Sequence, residues 1–272
     1  EEEHPLTARV AVNRIWQRFF GEGLVSSSYD FGNQGALPTH PDLLDFMALK
    51  FKDEGWDLHK IIRFIVQSDT YKQSSAISEE ALQLDPENKW LARAPRLRLS
   101  AESIRDQALA ISGLLVRKIG GPSVKPYQPE GLWKETTGGG GGSTANYVQD
   151  NGEALYRKSM YTFWKRTVPP PSMLTFDASN RDLCSVKSQQ TNTPLQALVL
   201  LNDPQIIEAS RVLAEKASRK KENIAEQLAY MYLAATGQFA TDKVAAQLLD
   251  LYHDMELQVQ KEGVIPETYL SI

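Results

Sequence analysis

Residues 155–203 read LYRKSMYTFWKRTVPPPSMLTFDASNRDLCSVKSQQTNTPLQALVLLND. The stretch joins an aromatic and basic run, a triple proline, the only cysteine and two helix starts. Thr193-Pro194 and Asp203-Pro204 each place a capping side chain before a proline. The cap satisfies an orphan N–H of the first turn, and the proline presets its φ. Helices are therefore predicted from Pro194 and from Pro204. The first, over 194–201, is apolar nearly all round and is expected to be buried. The second puts Ile206, Ile207, Ser210, Leu213 and Ala217 on one face. Upstream, residues 159–166 alternate in part and predict a short extended segment. The prolines at 169–171 must be extended, and residues 173–176 are expected to pair back as a hairpin-like element.

Working outward, residues 5–20 carry Val12, Ile15, Trp16, Phe19 and Phe20 at helical spacing, with Pro5 at the start and Gly21 at the stop. A loop anchored by Tyr29 and Phe31 follows. Thr39 is a predicted cap for a second helix with Leu43, Leu44, Met47 and Phe51 inward. Asp57 caps a third with Leu58, Ile61, Ile62 and Ile65 inward, and these two helices are expected to pair. Ser100 caps a fourth, with Ile104, Ala108, Ile111 and Leu115 on one face. The stretch of about 120–152 looks like an insertion holding five consecutive glycines, 138–142, which are expected to be mobile because they lose much entropy on ordering. Two amphipathic helices over 223–235 and 241–260 end the pattern. The fold class is mainly α, an irregular multi-helix domain with a minor extended/β element near residues 159–176. Residues 1–221 are expected to form the main domain, and 222–272 a helical extension packed on it.

The 272 residues hold 34 acidic and 30 basic side chains, for a formal net charge of −4. That balance gives no global attraction to nucleic acid or to an anionic membrane. No apolar run approaches the roughly 20 residues of a membrane helix. The acidic start EEEHPLTARV has no apolar core of a signal peptide, and the chain is expected to be a segment of a longer protein. One cysteine excludes an internal disulfide, a Cys-rich zinc site and a C-x-x-C-H haem attachment. The glycine run lacks the Lys-Ser/Thr of a phosphate loop.

Six segments occur in order: HPLTARVAVNRIWQRFFGEGLV, GNQGALPTHPDLLD, IVQSDTYKQSS, LYRKSMYTFWKRTVPPP, FDASNRDLC and TNTPLQALVLLND. Together, over about residues 4–214, they resemble the C-terminal domain of unknown function of planctomycetal cytochrome c-type multidomain proteins. The resemblance implies a large exported protein, hence an extracytoplasmic setting. It implies an upstream haem-bearing module, with no cofactor in this segment itself. It carries over no established catalytic residue or ligand.

The residues themselves supply weak candidates for chemistry. Cys184 follows Asp177, Arg181 and Asp182, where a nearby arginine would favour a thiolate; a small buried hydrophobe is the plainer account. His40 sits at a helix entry without a second histidine at metal-ligand spacing. Glu102, Arg105 and Asp106 share a helix face, either as a carboxylate pair for acid–base work or as a structural ion-pair network. Arg157, Lys158, Lys165 and Arg166 interleave with Tyr156, Tyr161, Phe163 and Trp164, as in a glycan-contacting surface or in a packed segment with solvated charges. Asn13, Arg14, Asn192, Gln196 and Asn202 are polar within apolar helices and, if buried, need partners, for which they could serve one another. The function expected first is a non-catalytic binding or scaffold domain, with the upstream cytochrome c-like domain, another protein or a glycan as partner. A hydrolase acting on a polysaccharide through Asp, Glu and Arg, and a docking surface for a redox partner, are the alternatives.

Overall fold

Side-chain caps set most helix starts in this chain. The structure, a computed structural model, describes residues 4–136, 146–179, 181 and 190–263. Its helices are α1 (Pro5–Phe20), α2 (Pro41–Asp53), α3 (Leu58–Gln67), α4 (Asp69–Lys72), α5 (Glu79–Leu84), α6 (Ala101–Ser112), α7 (Leu132–Thr136), α8 (Pro171–Thr175), α9 (Pro194–Asn202), α10 (Pro204–Lys220), α11 (Ile224–Thr236) and α12 (Asp242–Glu262). Two 3-10 turns, Gly152–Tyr156 and Ser159–Tyr161, lie between α7 and α8. Asp57, Ser100 and Asp203 each accept a first-turn N–H as the sequence predicts, and Asn223 and Thr241 do the same for α11 and α12. The protein is mainly helical. Its extended part, among the described residues, amounts to three isolated bridges: Val116 with Arg157, Val124 with Thr162 and Lys165 with Val168.

Contacts divide the chain into two units, meeting at residues 98 and 99. In the first, α1 packs most extensively on α2, and α2 on α3. Val12, Trp16, Phe20, Leu44, Met47, Phe51, Ile61 and Ile65 form its core, to which the loop after α1 adds Leu24 and Val25. Trp16 and Phe20, one turn apart, stack at 4.0 Å between centroids. In the second unit α6 packs chiefly on α10, α10 on α11, and α11 on α12. A smaller core joins Ala101, Met173 and Phe176, with Ile104, Trp164 and Val199 against it.

Several expectations fail for identifiable reasons. Thr39 does not cap α2. Its Oγ1 donates to the Leu24 carbonyl at 3.3 Å, and His40 takes the cap position without a side-chain bond. Tyr29 is 81% exposed and anchors nothing. Leu58 faces solvent, because α3 buries only the Ile61–Ile65 side. Residues 173–176 do not pair back: Pro171 starts α8, as proline at a first turn favours. On α6 the buried face runs through Ala101, Arg105, Leu109 and Ser112, and the helix stops before Leu115. On α10 it runs through Gln205, Glu208, Ala209 and Ala217, leaving Ser210 exposed. The α9 helix is the largest departure, with Leu195, Leu198 and Leu201 more than half exposed and Gln196 its buried residue.

Trp133 is 4% exposed and meets the rings of Tyr147 and Phe163. The Tyr147 hydroxyl donates to the Pro126 carbonyl. The run 138–142 itself lies outside the described residues, as does Cys184.

Candidate functional site

The helix face that buries Arg105 also explains where its charge goes. Arg105 is 9% exposed. Its Nε donates to Gln205 Oε1, its Nη1 to the Arg157 carbonyl at 2.8 Å and to Ser159 Oγ at 3.1 Å, and its Nη2 to the Leu155 carbonyl at 2.7 Å. Gln205 Nε2 donates to the same Leu155 carbonyl at 2.9 Å. Asp106 Oδ1 accepts the Ser159 N–H at 2.7 Å and lies 3.7 Å from Nη1. Glu102 is not among the partners. The guanidinium fork thus holds the 3-10 segment against α6 and α10, a positioning task suited to its planar donors. Burial pulls its pKa down to about 10, opposed by the charges of Asp106 and Asp203.

Arg157 does the same for the segment after α6. It donates to the carbonyls of Pro122 at 2.8 Å, Gly120 at 2.5 Å and Lys118 at 3.2 Å, and lies 3.7 Å from the centre of the Tyr161 ring. Lys165 lies 4.4 Å from the centre of the Trp133 ring. The aromatic and basic run is therefore a layered, largely inward arrangement of cations on rings. Beside it, the Tyr156 hydroxyl donates to Glu208 Oε1 at 2.7 Å. Burial, then this carboxylate, raises the Tyr156 pKa. Burial and the same carboxylate raise that of Tyr127.

The remaining candidates do not converge. The Asp177 carboxylate accepts the Thr191 N–H at 2.7 Å and its hydroxyl at 3.0 Å. Arg181 lies 4.6 Å from the centre of the Trp164 ring. His40 Nδ1 is 3.0 Å from Thr39 Oγ1 in the other unit. Among the described residues no three His, Cys, Asp or Glu side chains are placed to hold a metal, and no helix is long and apolar enough to cross a membrane. The polar helix residues do not bond to one another. Asn13 serves the backbone of Val25, and Gln196 serves the Thr175 carbonyl at 2.9 Å and Thr191 Oγ1 at 3.2 Å.

The first unit holds a feature that no motif announced. A cleft of about 1090 Å³, its open mouth included, is walled by the end of α1, the loop after it and the segment 75–97. Trp16, Phe20, Leu24, Ile77, Leu91 and Leu97 give it apolar surface. Its walls are fixed from within. Asn13, fully buried, accepts the Val25 N–H at 2.9 Å and donates to the Val25 carbonyl at 3.0 Å. Gly23 approaches so closely that a Cβ there would lie 2.5 Å from Asn13 Nδ2. On the opposite wall Asp85 accepts the N–H groups of Lys89 and Trp90, both at 2.8 Å. Arg93 Nη2 donates to the carbonyls of Asp85 at 3.0 Å and Pro86 at 2.9 Å, and Asn88 Nδ2 to the Arg93 carbonyl at 2.8 Å. Asn13 was visible in the sequence, since it stands beside Val12 and one turn before Trp16. Nothing in the sequence pointed to Arg93.

A family model described as PSD1, protein of unknown function (DUF1553), matches residues 1–252. The chain belongs to that family. The match runs across both units and ends within α12. No curated protein and no solved structure matches this PSD1-family chain.

Proposed function

We propose that this chain is a non-catalytic binding and scaffold domain of a larger exported protein that carries a cytochrome c-like module. The observation that carries the proposal is the cleft of the first unit. Its apolar lining and backbone-bonded walls have the character of a preformed ligand site. The candidate groups for acid–base work support the same reading from the other side. Asp177 is bonded to Thr191, and Arg105 serves backbone carbonyls and fixed side chains. The exported setting and the haem-bearing neighbour rest on the sequence resemblance alone.

A thermal-melt screen of the purified protein against glycans, haem and divalent metals tests the binding function. A ligand bound only by the folded state at about a hundred times its Kd adds roughly 2.7 kcal/mol. A saturable rise in Tm with a ligand recovered unchanged supports the proposal. Cleavage of that ligand, or no rise with any of the panel, overturns it.

A further inference from the structure

We propose that the cleft of the first unit binds the carboxylate of a uronic-acid sugar within an acidic glycan, through Arg93 and Asn88. The inference deepens the binding function and rests on it.

Two polar atoms in one wall of the cleft carry the argument. Arg93 is 8% exposed and lines the cleft, and its Nη1 has no hydrogen-bond partner among the described residues. Asn88, also in the lining, buries an Oδ1 that has none either. Buried polar atoms are normally satisfied, and a cationic one most of all. The Asp85 carboxylate is close enough for the Arg93 charge to help lower its pKa, but its oxygens accept the backbone N–H groups of Lys89 and Trp90, and none bonds to Nη1. Nη1 needs an acceptor, and an anionic one binds a guanidinium best. Asn88 Oδ1 needs a donor. A carboxylate with a neighbouring hydroxyl supplies both.

The rest of the lining extends this chemistry beyond a small acid. Lys89 and Arg96 join Arg93 on the lining against Glu22 and Glu87, leaving one positive charge in excess, and Glu87 pairs with Lys89 at 2.7 Å. Ser26, Thr39 and Ser75 add hydroxyl groups, and the apolar floor suits the C–H faces of a sugar ring. The space is larger than one hydroxy acid requires and suits an oligomer. Asn88 and Leu91 hold φ at 54° and 57°. The loop bearing the unpartnered atoms thus holds two non-glycine residues in the left-handed region.

Calorimetric titration of the intact protein with tri-galacturonate, its methyl ester and a neutral trisaccharide tests this. The acid is expected to bind saturably, and the ester, with its charge removed, about tenfold or more weaker. Arg93→Gln should weaken the acid by a similar factor. Arg93 also holds the Asp85 and Pro86 carbonyls, so this variant tests the fold of the loop as well as the site; the comparison of acid with ester needs no variant. Equal binding of acid and ester, or no binding of the acid, overturns the proposal. Free galacturonate binding as tightly as the trimer overturns the glycan. If a neutral glycan raises Tm while the uronate does not bind, the ligand class fails and the binding function stands.

Discussion

Several buried polar side chains of this protein hold backbone atoms in place. Asn13 is the clearest. Asn13→Leu keeps the branching at Cγ, is larger, and leaves the Val25 N–H and C=O without the Asn13 partner, each worth about 1–3 kcal/mol when buried. Denaturant unfolding should show a loss of about 2–4 kcal/mol. Arg105→Met should cost about 3–5 kcal/mol, as removal of one member of a buried charged network does, with Arg105→Lys recovering only part because it loses the fork. Tyr156 makes a prediction in pH. Its folded pKa is raised above the ordinary value of 10.0, as are those of Tyr127 and Tyr147. Such a group stabilises the fold fully below pH 10, and the contribution is lost as pH rises above it, because the unfolded chain ionises first. Arg105 acts oppositely: with its pKa lowered to about 10, it sheds its proton earlier in the folded state, which eases its burial at high pH. Tyr156→Phe should therefore flatten the fall in Tm above about pH 10. At neutral pH it should cost about 1 kcal/mol by removing one of the two phenols that bond to Glu208, Tyr127 being the other.

At the scale of elements, α9 reverses its sequence. A helix reading LQALVLL was expected inside, yet Gln196 is the residue buried. Leu198→Lys or Leu201→Lys should change stability by no more than about 0.5 kcal/mol, as at other exposed positions. Gln196→Ala should cost more, about 1–2 kcal/mol, for its bonds to Thr175 and Thr191. Chemical denaturation of the three variants gives the order. Local chemistry was legible: Asp57, Ser100 and Asp203 cap where their side chains and neighbours require, whereas the short helices α4, α5, α7 and α8 have too few residues to show a periodicity. Helix orientation was less so. The sequence rotates α6 toward Ile104 and α10 toward Ile206 because apolar periodicity counts only hydrophobic residues. The true faces centre on Arg105 and on Gln205 with Glu208, which hydrogen-bond into the protein and so count as interior. The same blindness hid the cleft, since Arg93 and Asn88 gain meaning only from the fold of their loop.

At the scale of the whole molecule, the two units carry separate cores. Ile61 is fully buried in the first. Ile61→Ala should cost about 2–5 kcal/mol through lost contacts and the cavity left behind. Hydrogen exchange should locate the lost protection within residues 4–98. A comparable loss of protection in α6 and α10 would show instead that the chain unfolds as one cooperative body.

The reach of the Arg105 side chain also sets a timetable. Its bonds join residues 50, 52 and 100 positions away in sequence, whereas the Asn13 bonds of the first unit span 12. Closing a longer loop costs more entropy and is slower. On the ribosome the first unit can therefore finish while the second is still being made. The α6 helix emerges with an arginine on its inner face and must wait for Gln205 to leave the tunnel. Through that interval its apolar neighbours stay uncovered. Slow translation between codons 113 and 205 should lengthen the time this protein is open to chaperones and proteases.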